Sequence, residues 1–270
     1  MTYALAGVLG RPVGHSRSPR IHRHWLRRHG IRGDYVAMEV AEEDFSEAVR
    51  ALPRLGFSGV NVTVPHKVAA LLLADEATDE ARRMGAANVL AFRDGRVEAD
   101  NTDGAGFLAA LREGAPGWAP GAACVLGAGG AARAVVAALV GAGTEVVLTN
   151  RTRERAEALA ADIGGPVRVV DWVGAGNAVE EAATVVNATS LGLSGGPPLR
   201  VPLDGLRRGQ VVMDLVYDPL ETPLLREARA AGAVVVDGLG MLLHQAAPAF
   251  ERFFGPRPVV DEDLRRAALA

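Results

Sequence analysis

The pattern of apolar and polar positions divides the chain into two successive blocks of alternating strands and helices. In the first block, strands are predicted at residues 3–9, 35–40 and 60–64, and helices at 18–29, 45–52 and 67–73. Ser18 followed by Pro19 predicts a helix start, with Ser18 as the N-cap. Asp94-Gly95 separates apolar runs at 88–92 and 96–99, which predicts a β-hairpin at the edge of this sheet.

The second block opens near Gly104 and contains a longer series of apolar strands. The predicted strands are 122–126, 146–149, 167–170, 184–187, 211–215 and 234–236, and the predicted helices are 130–140, 153–162, 241–254 and 262–269. Strands that are apolar on both faces are typical of a parallel sheet covered by helices. The whole pattern predicts an α/β protein of two domains with a cleft between them. One domain comprises residues 1–103 with 241–270, and the other comprises 104–240.

Composition excludes several classes of protein. The 270 residues are 49% hydrophobic and 23% charged, with a net charge of −3 and a pI of about 6.1. This balance argues against a nucleic-acid or membrane partner, and no run resembles a signal peptide or a membrane helix. The one cysteine, Cys124, lies in an apolar run and allows no internal disulfide. We therefore expect a cytoplasmic protein.

The basic residues are almost entirely arginine, since 28 of the 29 are Arg and the remaining one is Lys67. A generic surface charge is a poor explanation for a single lysine in such a chain. An ammonium group can lose its proton in a suitable environment, whereas a guanidinium effectively cannot. Lys67 is therefore a candidate for proton transfer, although one lysine could also persist by chance.

A glycine-rich turn in the second block predicts dinucleotide binding. The sequence G-x-G-x-x-A begins at Gly127, follows an apolar strand and opens a helix, which is the context that gives this motif its meaning. Its glycines permit a tight turn and a close approach of the backbone to a pyrophosphate, while the helix N-terminus attracts the phosphate charge. The candidate residues are Gly127, Ala128, Gly129, Gly130 and Ala131. The alternative is a glycine-rich turn with no ligand.

The end of the next strand favours NADP over NAD. An NAD site places Asp or Glu there, about 20 residues after the glycine motif, to bind the ribose 2′-hydroxyl. Here the strand ends in Asn150, Arg151 and Thr152, with Arg155 one helical turn beyond Arg151. Guanidinium groups bind phosphate in a bidentate manner, so these residues suit a 2′-phosphate. The alternative is that both arginines are solvated and that Arg151 pairs with Glu154.

Polar side chains also cluster outside the glycine motif, at positions where an ordinary connecting loop would not need them. Asn61 and Thr63 share one face of a predicted strand that ends just before Lys67, and open α/β sheets bind ligands at such strand ends. The other candidates are Ser16, Ser18, Asn88, Asp103, Tyr217 and Gln245. Four of them have an ordinary alternative: the serines suit a turn and a cap, Asp103 suits an Asx turn, and Gln245 suits a helix surface. The six histidines are scattered and accompany no cysteine cluster, so we expect no metal site.

Seven segments together resemble the shikimate dehydrogenase family over nearly the whole chain. They are Ser16-x-Ser18-Pro19, Asn61-x-Thr63-x-Pro65-x-Lys67, Asn101-x-Asp103-Gly104, Asn150-x-Thr152-x-x-Arg155, Asn187-Ala-Thr189-Ser190, Asp214-x-x-Tyr217-x-Pro219 and Gly238-x-Gly240-Met241-x-x-x-Gln245. The resemblance implies an N-terminal substrate-binding domain and a Rossmann-like NADP domain.

The resemblance also implies an activity and residue roles. The activity is reversible, NADPH-dependent reduction of 3-dehydroshikimate to shikimate, a step of aromatic amino acid biosynthesis. Lys67 would exchange a proton with the reacting oxygen, with Asp103 as its partner. Ser16, Ser18 and Tyr217 would bind the ring carboxylate, and Asn61, Thr63, Asn88, Asp103 and Gln245 would contact the ring hydroxyls and the reacting oxygen. The resemblance adds Thr189, Leu215 and Gly238 to the residues that bind the cofactor.

Two alternatives stay open at this point. The chain could be a quinate/shikimate dehydrogenase with broader substrate or NAD use, although the arginines favour NADP. It could also be a non-catalytic NADPH-binding sensor, although Lys67 and Asp103 are both present. The expected partner is a small-molecule substrate, and the expected assembly is a monomer or a homodimer.

Overall fold

A computed structural model describes residues 3–270 of the chain. The chain divides into two compact units: one contains the residues up to Thr102 together with Leu242–Ala270, and the other is Asp103–Met241. Both are built from a six-stranded sheet and helices, as the α/β prediction requires. Within the described part of the chain, no helix has the length and apolar character needed to cross a bilayer.

The sheet of the first unit is mixed, with strand order β2-β1-β3-β5-β6-β4. Its strands are β1 (Ala4–Gly10), β2 (Gly33–Glu39), β3 (Phe57–Val62), β4 (Glu76–Ala77), β5 (Val89–Arg93) and β6 (Arg96–Asp100). Parallel strands β2, β1 and β3 form one half of the sheet, and β5 joins β3 in an antiparallel pair. Asp94 and Gly95, both at positive φ, form the predicted hairpin turn between β5 and β6. The hairpin is not at the edge as predicted, because β4 pairs with β6 outside it.

Helices of the first unit bury its apolar side chains against this sheet. They are α1 (Ser18–Arg28), α2 (Phe45–Ala51), α3 (Lys67–Leu73), α4 (Asp79–Met84), most of α10 (Gly238–Phe254) and α11 (Glu262–Leu269). One core forms around Leu9, Val60 and Leu90, and another joins Val8 and Tyr35 of the sheet to Phe253 of α10. The tail of the chain, Leu242–Ala270, is therefore part of this unit.

The sheet of the second unit is entirely parallel, with strand order β12-β11-β10-β7-β8-β9. Its strands are β7 (Ala122–Leu126), β8 (Glu145–Asn150), β9 (Val167–Asp171), β10 (Thr184–Asn187), β11 (Val211–Asp214) and β12 (Val234–Val236). This order is that of dinucleotide-binding Rossmann sheets, whose ligands bind where the order reverses, here between β7 and β10. The prediction of a Rossmann-like domain is confirmed.

Helices cover both faces of the parallel sheet. They are α5 (Asp103–Gly114), α6 (Gly130–Gly141), α7 (Arg153–Ile163), α8 (Ala175–Glu181), α9 (Pro223–Ala230) and the first turn of α10. Two cores result, one on each face. Cys124 is fully buried in the second of these, where burial raises the pKa of its thiol to about 12. It is therefore a small buried side chain of β7 and not a reactive group.

Two further local predictions are wrong. Ser18 is the first residue of α1 and not its N-cap, because Arg17 precedes the helix in a helical conformation and provides no side-chain cap. The Ser16 hydroxyl instead accepts a hydrogen bond from the Ser18 N–H at 3.3 Å. Strand β3 ends at Val62, two residues before the predicted end, because a turn carries the chain through Pro65 into α3.

Candidate active site

Lys67 lies at the junction of β3 and α3, where the chain leaves the carboxyl end of a central strand. It is half-buried and is the first residue of its helix. The preceding residue, His66, is buried and held on both sides: its ring stacks on Phe45 at 4.5 Å, and its Nε2 is 2.9 Å from the Val40 carbonyl. A fixed neighbour restricts the backbone from which the Lys67 side chain extends.

A buried network of amide side chains lies beside this junction in the first unit. The Asn88 amide nitrogen donates to Thr102 Oγ1 at 3.0 Å and to Gln245 Oε1 at 3.1 Å. The Asn88 oxygen accepts from the Thr102 N–H at 2.8 Å. Thr102 also donates to the Gln245 carbonyl at 2.9 Å, which ties the end of β6 to α10. The structure thus brings Asn88 and Gln245 together, although they are 157 residues apart in sequence.

Asn61 extends this network through the sheet. Its amide nitrogen donates to the Asn88 carbonyl at 3.1 Å, and its oxygen accepts from the Tyr35 hydroxyl at 2.7 Å. The side chains of Asn61, Asn88, Thr102 and Gln245 are all less than 9% exposed, and Tyr35 is fully buried. Every amide therefore has a defined orientation before any ligand binds. We name these five residues the amide network; Tyr35 and Thr102 are members that the sequence analysis missed.

Tyr35 of the amide network packs against an aromatic cluster. The ring of His22 stacks on Tyr35 with centroids 3.9 Å apart, and the rings of Trp25 and Phe250 are each 5.8 Å from it. Neither nitrogen of His22 has a hydrogen-bond partner among residues 3–270. Burial lowers the pKa of His22 to about 3, so its imidazole is neutral in the folded protein near neutral pH.

The remaining candidates of the first unit lie on its loops. Ser16 is half-buried and Ser18 is buried, and the bond between the Ser16 hydroxyl and the Ser18 N–H fixes the turn that carries both. Thr63 is half-buried directly after β3, where its N–H donates to the Leu9 carbonyl at 2.8 Å. All three present hydroxyl groups, which can donate and accept hydrogen bonds.

Two of the residues predicted to act on or bind the substrate belong to the second unit. Asp103 is the first residue of α5 and is 4% exposed. Tyr217 is half-buried three residues after β11 ends. Both are at element boundaries of the second unit, while Lys67 and the amide network belong to the first.

The turn after β7 has the properties that a bound pyrophosphate requires. Gly127 has φ +109°, and a Cβ there would lie 2.8 Å from Thr189 Cγ2, so a side chain is excluded twice over. A Cβ at Gly129 would meet nothing within 4 Å, which leaves the backbone open to a ligand. The N-terminus of α6 has no side-chain cap, and its N–H groups can therefore bind an anion. Ala128 lies in the turn, and Gly130 and Ala131 are the first two residues of α6.

The loop after β10 is built around a buried carboxylate. Asp214 accepts from the Asn187 amide at 2.9 Å and from the Thr222 hydroxyl at 2.7 Å, and burial raises its pKa to about 6. Asn187 Oδ1 also accepts from the N–H of Thr189 at 3.1 Å and from its hydroxyl at 2.7 Å. This arrangement holds Thr189 against Gly127, at the point where the strand order reverses.

Close backbone packing joins two further cofactor candidates. A Cβ at Gly238 would lie 2.3 Å from the Leu215 carbonyl oxygen, so only glycine allows α10 to begin against the end of β11. Leu215 is half-buried there. Both residues therefore lie at the carboxyl edge of the parallel sheet.

A cavity of about 510 Å³ opens beside the carboxyl end of β8. We name it the arginine cavity; its lining residues are Asn150, Arg151, Trp172, Thr189, Ser190, Leu191, Pro197, Pro198 and Arg200. It brings together three of the predicted cofactor residues: Asn150, Arg151 and Thr189. Thr152 and Arg155 are exposed and do not line it. Trp172 and Arg200 were missed, since neither lies in a motif and both are far from Arg151 in sequence.

Comparison with known proteins agrees with this geometry. The family described as "Shikimate dehydrogenase substrate binding domain" matches residues 8–90, "Shikimate / quinate 5-dehydrogenase" matches 112–192, and "Shikimate 5'-dehydrogenase C-terminal domain" matches 238–269. The chain is 61% identical to shikimate dehydrogenase (NADP(+)) of Paracoccus denitrificans (strain Pd 1222), over 98% of this chain and 96% of the relative.

Two solved structures show the same fold. Shikimate 5-dehydrogenase from Thermus thermophilus, in complex with NADP(H) and shikimate, is 41% identical with a TM-score of 0.89, over 98% of each chain. Quinate dehydrogenase from Corynebacterium glutamicum, in complex with NAD, is 33% identical with a TM-score of 0.92, over 99% of each chain. Full-length similarity at these levels, together with the Rossmann sheet and the order of the site segments, means that the chain belongs to the shikimate dehydrogenase family.

Proposed function

We propose that this chain catalyses the reversible, NADPH-dependent reduction of 3-dehydroshikimate to shikimate in the cytoplasm, as a monomer or a homodimer. The single observation that carries the proposal is the position of the only lysine, at the carboxyl end of β3 beside the buried amide network. Proton transfer needs a group that can lose and regain a proton, and the other 28 basic residues, all arginine, cannot do so.

The residues of the first unit suit a small hydroxylated ring. Lys67 donates a proton to the alkoxide oxygen that hydride transfer produces at C3, and it removes that proton in the reverse direction. We assign Asp103 as the acid–base partner of Lys67. Asn61, Asn88 and Gln245 have fixed amides, which suits recognition of ring hydroxyls, and Thr63 adds a hydroxyl group. Ser16, Ser18 and Tyr217 bind the ring carboxylate. A site that hydrogen-bonds a substrate hydroxyl rejects analogues that lack it by roughly 10⁴–10⁵-fold.

The residues of the second unit suit NADP, whose reduced form, NADPH, would supply the hydride when it is bound. The turn that begins at Gly127 and the first residues of α6, up to Ala131, contact the pyrophosphate through backbone N–H groups, beside Thr189. The adenosine end of the cofactor is bound by Asn150, Arg151, Thr152 and Arg155. The nicotinamide end is bound by Leu215 and Gly238. β8 ends without a carboxylate, so the acceptor that an NAD site uses for the 2′-hydroxyl is missing from that position.

A spectrophotometric assay tests the function and separates it from its rivals. Purified protein is mixed with shikimate or quinate and with NADP⁺ or NAD⁺, and the appearance of reduced nicotinamide is followed by absorbance. We expect rapid reduction with shikimate and NADP⁺ and slow reduction with the other three pairs. Comparable rates with quinate or NAD⁺ would identify a broader enzyme. NADPH binding without turnover of any pair would refute the proposed reaction and support a sensor.

A further inference from the structure

Two cavities of the parallel sheet differ in charge. The arginine cavity lies at the carboxyl end of the strands, and its lining contains two guanidinium groups and no carboxylate. The second cavity, of about 440 Å³, lies at the amino end, and its lining contains Glu145 and Glu181 with Arg168. Arg168 is 3.7 Å from Glu181 and is partly neutralised by it. Of the two, the arginine cavity is the one suited to an anion.

The charges of the two guanidiniums of the arginine cavity are not balanced by any carboxylate in the described part of the chain. Among residues 3–270, neither Arg151 nor Arg200 forms an ion pair with a carboxylate. Arg153, which is close to Arg151 in sequence, differs: it bonds Glu157 at 2.7 Å and Asp171 at 2.8 Å. The positive charge at the arginine cavity is therefore available to a ligand, whereas that of Arg153 is already balanced.

The position of Arg200 is set by the chain after β10. The segment runs from Thr189 through Pro197 and Pro198, all of which line the cavity, and Arg200 follows two residues later. Arg151 approaches the same cavity from the end of β8. Two cations that arrive from different loops can bind different oxygens of one phosphate group.

We propose that Arg200 is a specificity-determining residue that binds the 2′-phosphate of NADP together with Arg151, and that Trp172 contacts the adenine ring. This inference rests on the proposed function and deepens it. The apolar part of the lining, Trp172 with Leu191 and the two prolines, suits a purine, and the volume is in the range of about 300–1,000 Å³ found for small-molecule sites. Arg155, the second arginine of the motif, does not line the cavity.

The test compares the two cofactors, because only one of them carries the 2′-phosphate. Arg200→Gln removes the charge from an exposed side chain, and Arg207→Gln is the matched control, since Arg207 is also exposed but does not line the cavity. Isothermal titration measures the Kd for NADP⁺ and for NAD⁺. We expect Arg200→Gln to weaken NADP⁺ binding about tenfold, as for loss of a charge-assisted hydrogen bond, and to leave NAD⁺ binding unchanged. The control should change neither.

Trp172→Leu gives an independent readout, because both cofactors contain adenine. We expect it to weaken NADP⁺ and NAD⁺ equally, by about fivefold, as for loss of base–aromatic stacking. The inference is overturned if Arg200→Gln binds NADP⁺ as tightly as Arg207→Gln, or if it weakens both cofactors alike. Arg151→Gln separates this inference from the proposed function. Lost NADP⁺ preference in Arg151→Gln but not in Arg200→Gln would leave the proposed function standing and refute this inference alone.

Discussion

The polar groups of the amide network and those of the arginine cavity are prepared for ligands in opposite ways. In the network, Asn61, Asn88 and Gln245 are buried and hydrogen-bonded to their neighbours. In the cavity, Arg151 and Arg200 are exposed and have no carboxylate partner among residues 3–270. Buried polar groups lose much more when a partner is removed than exposed ones do. Substitutions in the network should therefore change stability and substrate use together, whereas substitutions in the cavity should change cofactor choice alone.

The largest effect is expected for Asn88→Ala. This change leaves the Thr102 N–H and Gln245 Oε1 without their partner, and each buried unsatisfied group costs about 1–3 kcal/mol. We expect the free energy of unfolding in urea to fall by about 3 kcal/mol and the KM for shikimate to rise. Asn177→Ala is the matched control, since Asn177 is exposed on α8. Equal, small losses of unfolding free energy in both variants would contradict the distinction between the amide network and the arginine cavity.

The next effect is a pH dependence of stability that comes from His22, whose ring stacks on Tyr35. The folded pKa of His22 is about 3, below its ordinary value of 6.5, so the unfolded chain binds a proton that the folded protein excludes between these values. The contribution of His22 to stability therefore falls as the pH drops below about 6.5, by at most about 1.4 kcal/mol per pH unit. Between pH 7 and pH 5, His22→Phe should lose about 2 kcal/mol less than the unsubstituted protein in urea unfolding. Parallel losses would show that His22 is protonated in the fold.

A smaller effect is expected for Arg151→Gln in the second unit. The exposed guanidinium contributes little to stability, so the melting temperature should stay unchanged. The ratio of kcat/KM for NADP⁺ to that for NAD⁺ should fall about tenfold, while the KM for shikimate stays constant. Steady-state kinetics with both cofactors measure this ratio. A lower melting temperature with an unchanged ratio would mean that Arg151 has a structural role, contrary to the comparison.

The smallest effect is expected for Tyr35→Phe, which removes only the hydroxyl that orients Asn61. The loss of one neutral hydrogen bond should lower the free energy of unfolding by about 1 kcal/mol. Because the Asn61 amide is then less well held, the KM for shikimate should rise while the Kd for NADP⁺ does not. Tyr3→Phe is the control, since Tyr3 is 54% exposed. A rise in both constants would indicate a general loss of structure.

Local signals made much of the fold predictable. The helix at 67–73 and the strands at 184–187 and 234–236 have the predicted bounds, because each is an uninterrupted periodic or apolar segment. The glycine turn is also local: its strand, glycines and helix are contiguous. The helices α4, α5, α8 and α9 were missed, and α4 was missed even though Thr78 caps it and Gly85 ends it at positive φ. Six residues carry too little periodicity to indicate a helix by themselves.

The missed members of the site depend on contacts that are remote in sequence. Thr102 is inside a recognised motif, but its bonds to Asn88 and to Gln245 arise only when β6 and α10 are packed together. Arg200 is one of 28 arginines, and only the folded loop after β10 shows that it shares a cavity with Arg151. Patterns along the chain indicate elements and motifs, whereas the partners of each polar side chain follow from tertiary packing.

The most direct test of the proposed proton transfer is the turnover of shikimate and NADP⁺ by Lys67→Met and Lys67→Arg, measured beside NADP⁺ binding by the same proteins. We expect kcat to fall by roughly 10²–10⁴-fold in both variants, because neither side chain can exchange a proton. The Kd for NADP⁺ should stay unchanged, since the residues assigned to the cofactor belong to the other unit. Turnover by either variant near that of the unsubstituted protein would contradict the assignment of Lys67 as the proton-transfer group.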